Sequence, residues 1–227
     1  MSIRVLLLTT SIFLLGCQLV NSLQAALPQS KRTPKRVALL IGNSNYQSES
    51  DLKNPVNDVR ALTKSLKKIG FEVTTELDRT RAEFEDDIDE ITDDLGEGDI
   101  CLVFYAGHGQ SNDGANYLIP VDAEVSRPHH LKERCVGMNY LLSALEESDA
   151  SLKVLILDSC RDPVRALKRG GSKGFAEVSV PEGTMVAFST APGQFALDGD
   201  GDISPFTESL IKTLDSHRPE GLTLLNL

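Results

Sequence analysis

Short, wholly apolar runs separated by amphipathic helical stretches are the feature that most restricts what this chain can become. Residues 37–41 read Val-Ala-Leu-Leu-Ile and stop at Gly42. Val59, Leu62, Leu66 and Ile69 then recur at helical spacing and close at Gly70. Residues 71–75 alternate and are β-rich, and Phe84, Ile88, Ile91 and Leu95 fall on one helical face ahead of Gly96. A second apolar run covers residues 99–105, Leu141, Leu142 and Leu145 mark a helix, and two more runs lie at 154–157 and 185–188. Phe206, Leu210 and Leu214 make a closing helix. A strand with no polar face must be covered on both sides. Strands alternating with helices cross over to pair in parallel, so an α/β fold with a mainly parallel central sheet is expected. Residues 110–136 and 161–182 show no clear periodicity and are expected to be irregular excursions.

The chain of 227 residues is a single-domain length, and 41% hydrophobic with 25% charged residues is ordinary for a globular fold. A formal net charge of −10 disfavours nucleic acid and makes basic peptide segments the natural electrostatic partner. The N-terminus stands apart. Arg4 precedes a mostly apolar stretch through Gly16 that reads as a signal peptide, and it is short for a membrane span. Two endings are open: cleavage after Leu23-Gln24-Ala25, or a lipoprotein box at Leu14-Leu15-Gly16-Cys17 with acylation of Cys17. Residues 1–26 are therefore assigned to export, 27–35 to a linker and 36–227 to the folded domain. The destination is the periplasm, the cell envelope or the exterior. Beyond Cys17 three cysteines remain, Cys101, Cys135 and Cys160, so at least one thiol is unpaired, and Cys101 is expected in the core.

In open parallel sheets, reactive residues gather at the carboxyl ends of strands. The run ending at Tyr105 leads into Ala106-Gly107-His108-Gly109, read as a turn, and the run ending at Leu157 leads into Asp158-Ser159-Cys160-Arg161-Asp162. If these strands are neighbours, His108 and Cys160 face one cleft. A thiol attacks as thiolate, and an imidazole takes its proton and later returns one to a leaving amine. The backbone N–H groups of Gly109 and Cys160 are candidates for holding an oxyanion. Asp162-Pro163 reads as a helix start whose dipole favours the thiolate.

The string Phe104-Tyr105-Ala106-Gly107-His108-Gly109, followed by Asp158-Ser159-Cys160-Arg161, resembles the caspase-like cysteine peptidases, whose signature sets the His about fifty residues before the Cys. It is closer to metacaspases and bacterial orthocaspases than to animal caspases. Residues 37–43 with Tyr46, 52–58, 116–122, 188–194 and 204–207 support this, and the resemblance spans roughly residues 35–215. It implies a caspase-like αβα sandwich and peptide-bond hydrolysis by a dyad of His108 and Cys160. It also implies acidic residues selecting Arg or Lys before the scissile bond, at the positions of Asp58 and Asp158 here. Carboxylates at a pocket floor pair with guanidinium or ammonium. Asp58 also suits the N-terminus of the helix containing Val59.

Residues 136–139 read Val-Gly-Met-Asn where calcium-dependent metacaspases carry acids, so no calcium requirement and no cofactor are expected. Residues 198–202 resemble half of an EF-hand loop but lack its later Gly and Glu, and are read as a polar loop. His129-His130 is read as a loop pair rather than a metal site. Arg161, Arg165, Lys168, Arg169 and Lys173 form a basic cluster after the candidate nucleophile, read as a solvated loop with self-cleavage as the alternative. Two further readings fit parts of the chain: a catalytically weak caspase-like scaffold at the envelope, and a cation-binding lipoprotein.

Overall fold

The computed structural model describes residues 33–160, 175–189 and 201–216, with Cys160 described by its backbone. The elements run in order β1 (Arg36–Gly42), α1 (Pro55–Lys68), β2 (Glu72–Leu77), α2 (Arg81–Asp93), β3 (Ile100–Asn112), β4 (Ala115–Leu118), α3 (Pro128–Arg134), β5 (Val136–Gly137), α4 (Met138–Glu147), β6 (Leu152–Cys160), β7 (Thr184–Phe188) and α5 (Pro205–Ser216). Five strands pair in parallel in the order β2-β1-β3-β6-β7. The far half of β3 turns antiparallel to β4, which pairs with β5. Among the described residues, no helix is long and apolar enough to cross a membrane.

Side-chain parity shows why the strands are apolar throughout. Leu39, Ile41, Cys101, Val103, Tyr105, Leu155 and Leu157 enter one core with Phe84 and Ile88 of α2 and Leu141, Leu142 and Leu145 of α4. Their strand neighbours Ala38, Leu40, Leu102, Phe104, Ala106, Val154 and Ile156 enter the other, with Val59, Leu62 and Leu66 of α1 and Leu214 of α5. Successive residues point to opposite faces, so helices on both sides bury both faces of the central strands β1, β3 and β6, while the outer strands β2 and β7 are only partly covered. The result is the α/β sandwich expected from the sequence.

Local signals fix the helix ends. α1 begins with Pro55, carries Asp58 in its first turn, and is followed by Gly70 at φ +86°. α2 carries a capping box, in which the Thr80 hydroxyl accepts from the Glu83 N–H and the Glu83 carboxylate accepts from the Thr80 N–H.

Two sequence expectations are corrected. Residues 110–136 are not an irregular excursion: they hold the end of β3, β4 and α3. His108 does not sit in a turn, because β3 continues through it to Asn112. The reason is partner exchange. β1 ends its pairing opposite Ala106, and β4 takes up the ladder from Gly109. The proposed helix start at Asp162-Pro163 and the basic cluster lie outside the described residues.

Candidate active site

β3 and β6 run in register from Ile100 opposite Leu152 to His108 opposite Cys160. The two residues far apart in sequence are thus side by side where the parallel pairing of β3 and β6 ends. Two glycines make the strand end possible. A Cβ on Gly107 would lie 2.5 Å from the Tyr105 hydroxyl and 2.7 Å from that of Tyr46, and one on Gly109 would lie 2.3 Å from Ser159 Oγ. Any side chain there collides with the groups around His108.

His108 is 7% exposed and held at several points. Its backbone N–H donates to the Tyr46 hydroxyl at 2.8 Å, and its carbonyl accepts from the Tyr105 hydroxyl at 2.8 Å. Burial pushes the Tyr105 phenol far above its ordinary value, so it remains a donor. The Tyr46 ring packs on the imidazole with centroids 4.5 Å apart. The imidazole Nε2 lies 2.7 Å from the carbonyl oxygen of Ser50. A carbonyl only accepts, so in the neutral ring Nε2 carries the hydrogen and Nδ1 keeps the lone pair.

The candidate oxyanion donor Gly109 stands opposite Leu118. Because the Ile119 N–H donates to His108 O at 3.0 Å, Gly109 and Leu118 form a non-hydrogen-bonded pair. The Gly109 N–H therefore points away from β4, toward the β6 side, one residue beyond the His108–Cys160 register pair.

Asp58 and Asp158 converge on one residue. Asp58 Oδ1 accepts the backbone N–H of Ser204 at 2.7 Å. Asp158 Oδ2 accepts the Ser204 hydroxyl, and that of Thr207 at 3.0 Å. Ser204 Oγ in turn accepts the Thr207 N–H at 3.0 Å, capping α5. Both carboxylates are buried, at 2% and 6% exposure, where α1, β6 and the start of α5 meet. Asp158 shares the parity of Val154 and Ile156, which is why it emerges on the α1 and α5 side of the sheet.

Sequence reasoning missed the groups that hold the imidazole. The Ser50 carbonyl leaves no trace in residue type. Asp78 carried a weak signal, an Asp just after a β-rich run. Its backbone is left-handed at φ 52°, and Oδ1 accepts the N–H groups of Ser44 and Asn45 at 2.8 and 2.9 Å. That fixes the loop leading to Tyr46. Burial raises the Asp78 pKa, but the hydrogen bonds from Asn45 and Ser44 outweigh it and hold the group below the usual carboxylate value. The charged form is thus favoured on folding. Its stabilisation is full well above the unfolded pKa of about 3.9 and is lost as pH falls through the lower folded value. Asp78→Asn, which tolerates the same backbone, is expected to lower stability at pH 7 by about 1–2 kcal/mol. Denaturant melts should show the gap to wild type shrinking below about pH 4.

The remaining candidates separate. Cys101 and Cys135 are buried free thiols, and burial pushes both up to about 12. His129 and His130 lie on α3 and not in a loop. In the described part of the EF-hand-like segment, Asp202 pairs with Lys53 at 3.4 Å and the Gly201 carbonyl accepts from Lys53 Nζ at 3.0 Å.

The caspase domain profile matches residues 35–227. The chain belongs to the caspase-domain family. Among similar proteins is human mucosa-associated lymphoid tissue lymphoma translocation protein 1, 40% identical over 126 residues, covering 56% of this chain and 15% of that one. Another is the Paracaspase of Dictyostelium discoideum, 26% identical over 208 residues, covering 88% of this chain and 48% of that one. The chain spans less than half the length of these relatives. A solved protein from Geobacter sulfurreducens aligns with TM-score 0.46 and 24% identity over 57% of this chain and 52% of that one. The family is that of caspase-like cysteine peptidases. The finer resemblance to metacaspases is not reflected in the names of these relatives, one of which is a paracaspase.

Proposed function

We propose that this caspase domain is a cysteine endopeptidase that cleaves after Arg or Lys using His108 and Cys160. The observation that carries the reading is the register of β3 and β6, with His108 opposite Cys160. In this mechanism His108 Nδ1 takes the proton of the Cys160 thiol, and the sulfur attacks the scissile carbonyl carbon. The oxyanion is assigned to the N–H groups of Gly109 and Cys160, which the register sets against the Cys160 and Gly107 carbonyls at the last rung of the ladder and which the substrate must draw away from them. The Ser50 carbonyl, on Nε2–H, fixes the tautomer and faces the imidazolium as it forms. The tetrahedral intermediate collapses, the C–N bond breaks, and His108 gives its proton to the departing amine. Water, deprotonated by His108, then hydrolyses the thioester and restores the thiol. Asp58 and Asp158 supply the negative pocket for the basic side chain, a role supported by their burial at one place and by the acidic chain as a whole. Residues 1–26 make it an exported or envelope-anchored enzyme in this reading, through Cys17 if the lipoprotein box is used.

Fluorogenic peptides ending in Arg, Lys or Asp test the proposal. Arg and Lys reporters should be hydrolysed and the Asp reporter should not. A brief iodoacetamide treatment of the native protein at pH 7.5 should stop hydrolysis, with peptide mapping showing label on Cys160. Cys101 and Cys135, with thiols at about 12, should stay unlabelled, since only about 1 in 10⁴–10⁵ is thiolate. Preference for Asp reporters, or activity that survives labelling of Cys160, would overturn it.

A further inference from the structure

Away from the cleft, α3 carries three metal-ligating side chains on a turn and a half of helix. His129, His130 and Glu133 each offer one ligand atom, and these atoms lie within 4.8 Å of one another. His129 and Glu133 are four residues apart and so share a helix face. His130, one residue on, is drawn toward them: its ring meets that of His129 edge to face with centroids 4.5 Å apart. Its Nδ1 lies 3.2 Å from the Ser126 hydroxyl, which orients the ring. The helix beneath is anchored. Leu131 is fully buried with Tyr46, Ile119 and Val121, and the Glu133 carbonyl accepts from Arg81. Among the described residues, the Glu133 carboxylate makes no hydrogen bond or ion pair.

We infer that His129, His130 and Glu133 form a surface site for a borderline divalent transition metal such as Zn²⁺. Two imidazoles and a carboxylate are a ligand set that tetrahedral Zn²⁺ accepts, with a fourth position for water. Ca²⁺ and Mg²⁺ require mainly oxygen ligands and do not fit. Neighbouring ligand atoms on such an ion sit about 3.4 Å apart, so side-chain rotation closes the site without moving the helix. Ser126 holds His130 Nδ1 through its backbone N–H, which donates at 3.3 Å, and through its hydroxyl at 3.2 Å; metal binding at Nε2 moves the ring proton to Nδ1, where the Ser126 hydroxyl can accept it. The net charge of −10 adds general attraction for cations. The site is separate from the peptidase reading and stands or falls without it.

Cobalt(II) is the probe that distinguishes this site from the thiols, because thiolate ligation adds an intense near-ultraviolet charge-transfer band. The full chain titrated with Co²⁺ at pH 7.5 should take up one equivalent, with visible d–d bands and no thiolate band. Zn²⁺ should displace it and raise the melting temperature. His129→Ala and Glu133→Gln, both at exposed positions, should each weaken binding by at least tenfold while leaving the metal-free melting temperature unchanged. Absence of saturable binding, a thiolate band, or wild-type affinity retained in either variant would overturn the inference.

Discussion

Cys160→Ala is expected to abolish hydrolysis of an Arg reporter, and His108→Ala to lower kcat by about 10³-fold or more. The reasoning is chemical. Alanine has no atom that can form the acyl intermediate, so the first variant loses the reaction path itself. The second keeps the thiol but removes the base that ionises it and the acid that releases the amine. Groups that act in one step are not additive, so the double variant should be no worse than Cys160→Ala alone. Melting temperatures serve as the control. Because the His108 backbone is held through its own N–H and carbonyl, these bonds survive truncation of the ring. Hydrolysis undiminished in either variant would remove the dyad, and a wild type silent on every basic reporter would favour a scaffold domain.

Asp158→Asn is expected to reduce kcat/KM for Arg and Lys reporters by about 10²- to 10³-fold. A basic side chain left in a buried pocket without its carboxylate partner loses about 2–5 kcal/mol. Asn retains the size of Asp and can still accept the hydroxyls of Ser204 and Thr207, so the fold should persist. Asp58→Asn should act in the same direction, and the double variant should show coupling, because both carboxylates meet the same Ser204. Inhibitors that acylate a thiol without a basic group should react with wild type and variant at similar rates. If they slow equally with the reporters, the carboxylates hold the site together and do not select the substrate.

Much of this was legible in the sequence because apolar runs without a polar face have few folds open to them. Val37 to Ile41 and Val154 to Leu157 are strands in the structure as read. The nearness of Asp58 and Asp158 followed from their family positions, and the structure brings both to Ser204. The stretch around His108 was misread because glycine is rare in strands. Here the two glycines are required by the hydroxyls of Tyr105, Tyr46 and Ser159, contacts that exist only after folding. The Ser50 carbonyl was invisible for a deeper reason: every residue has one, so recognition depends on where the backbone passes. His129-His130 looked like a loop because Pro128 begins α3 and its seven residues hold too little periodicity to register.

The tie between Ser204 and both carboxylates orders events during synthesis. A nascent polypeptide that has emerged only as far as β7 already possesses the strands bearing His108 and Cys160. It has none of the contacts that Ser204 and Thr207 make with Asp58 and Asp158. In the proposed reading, the pocket for a basic side chain therefore takes its final form only once α5 has been made, and ribosome-bound fragments shorter than this would lack it.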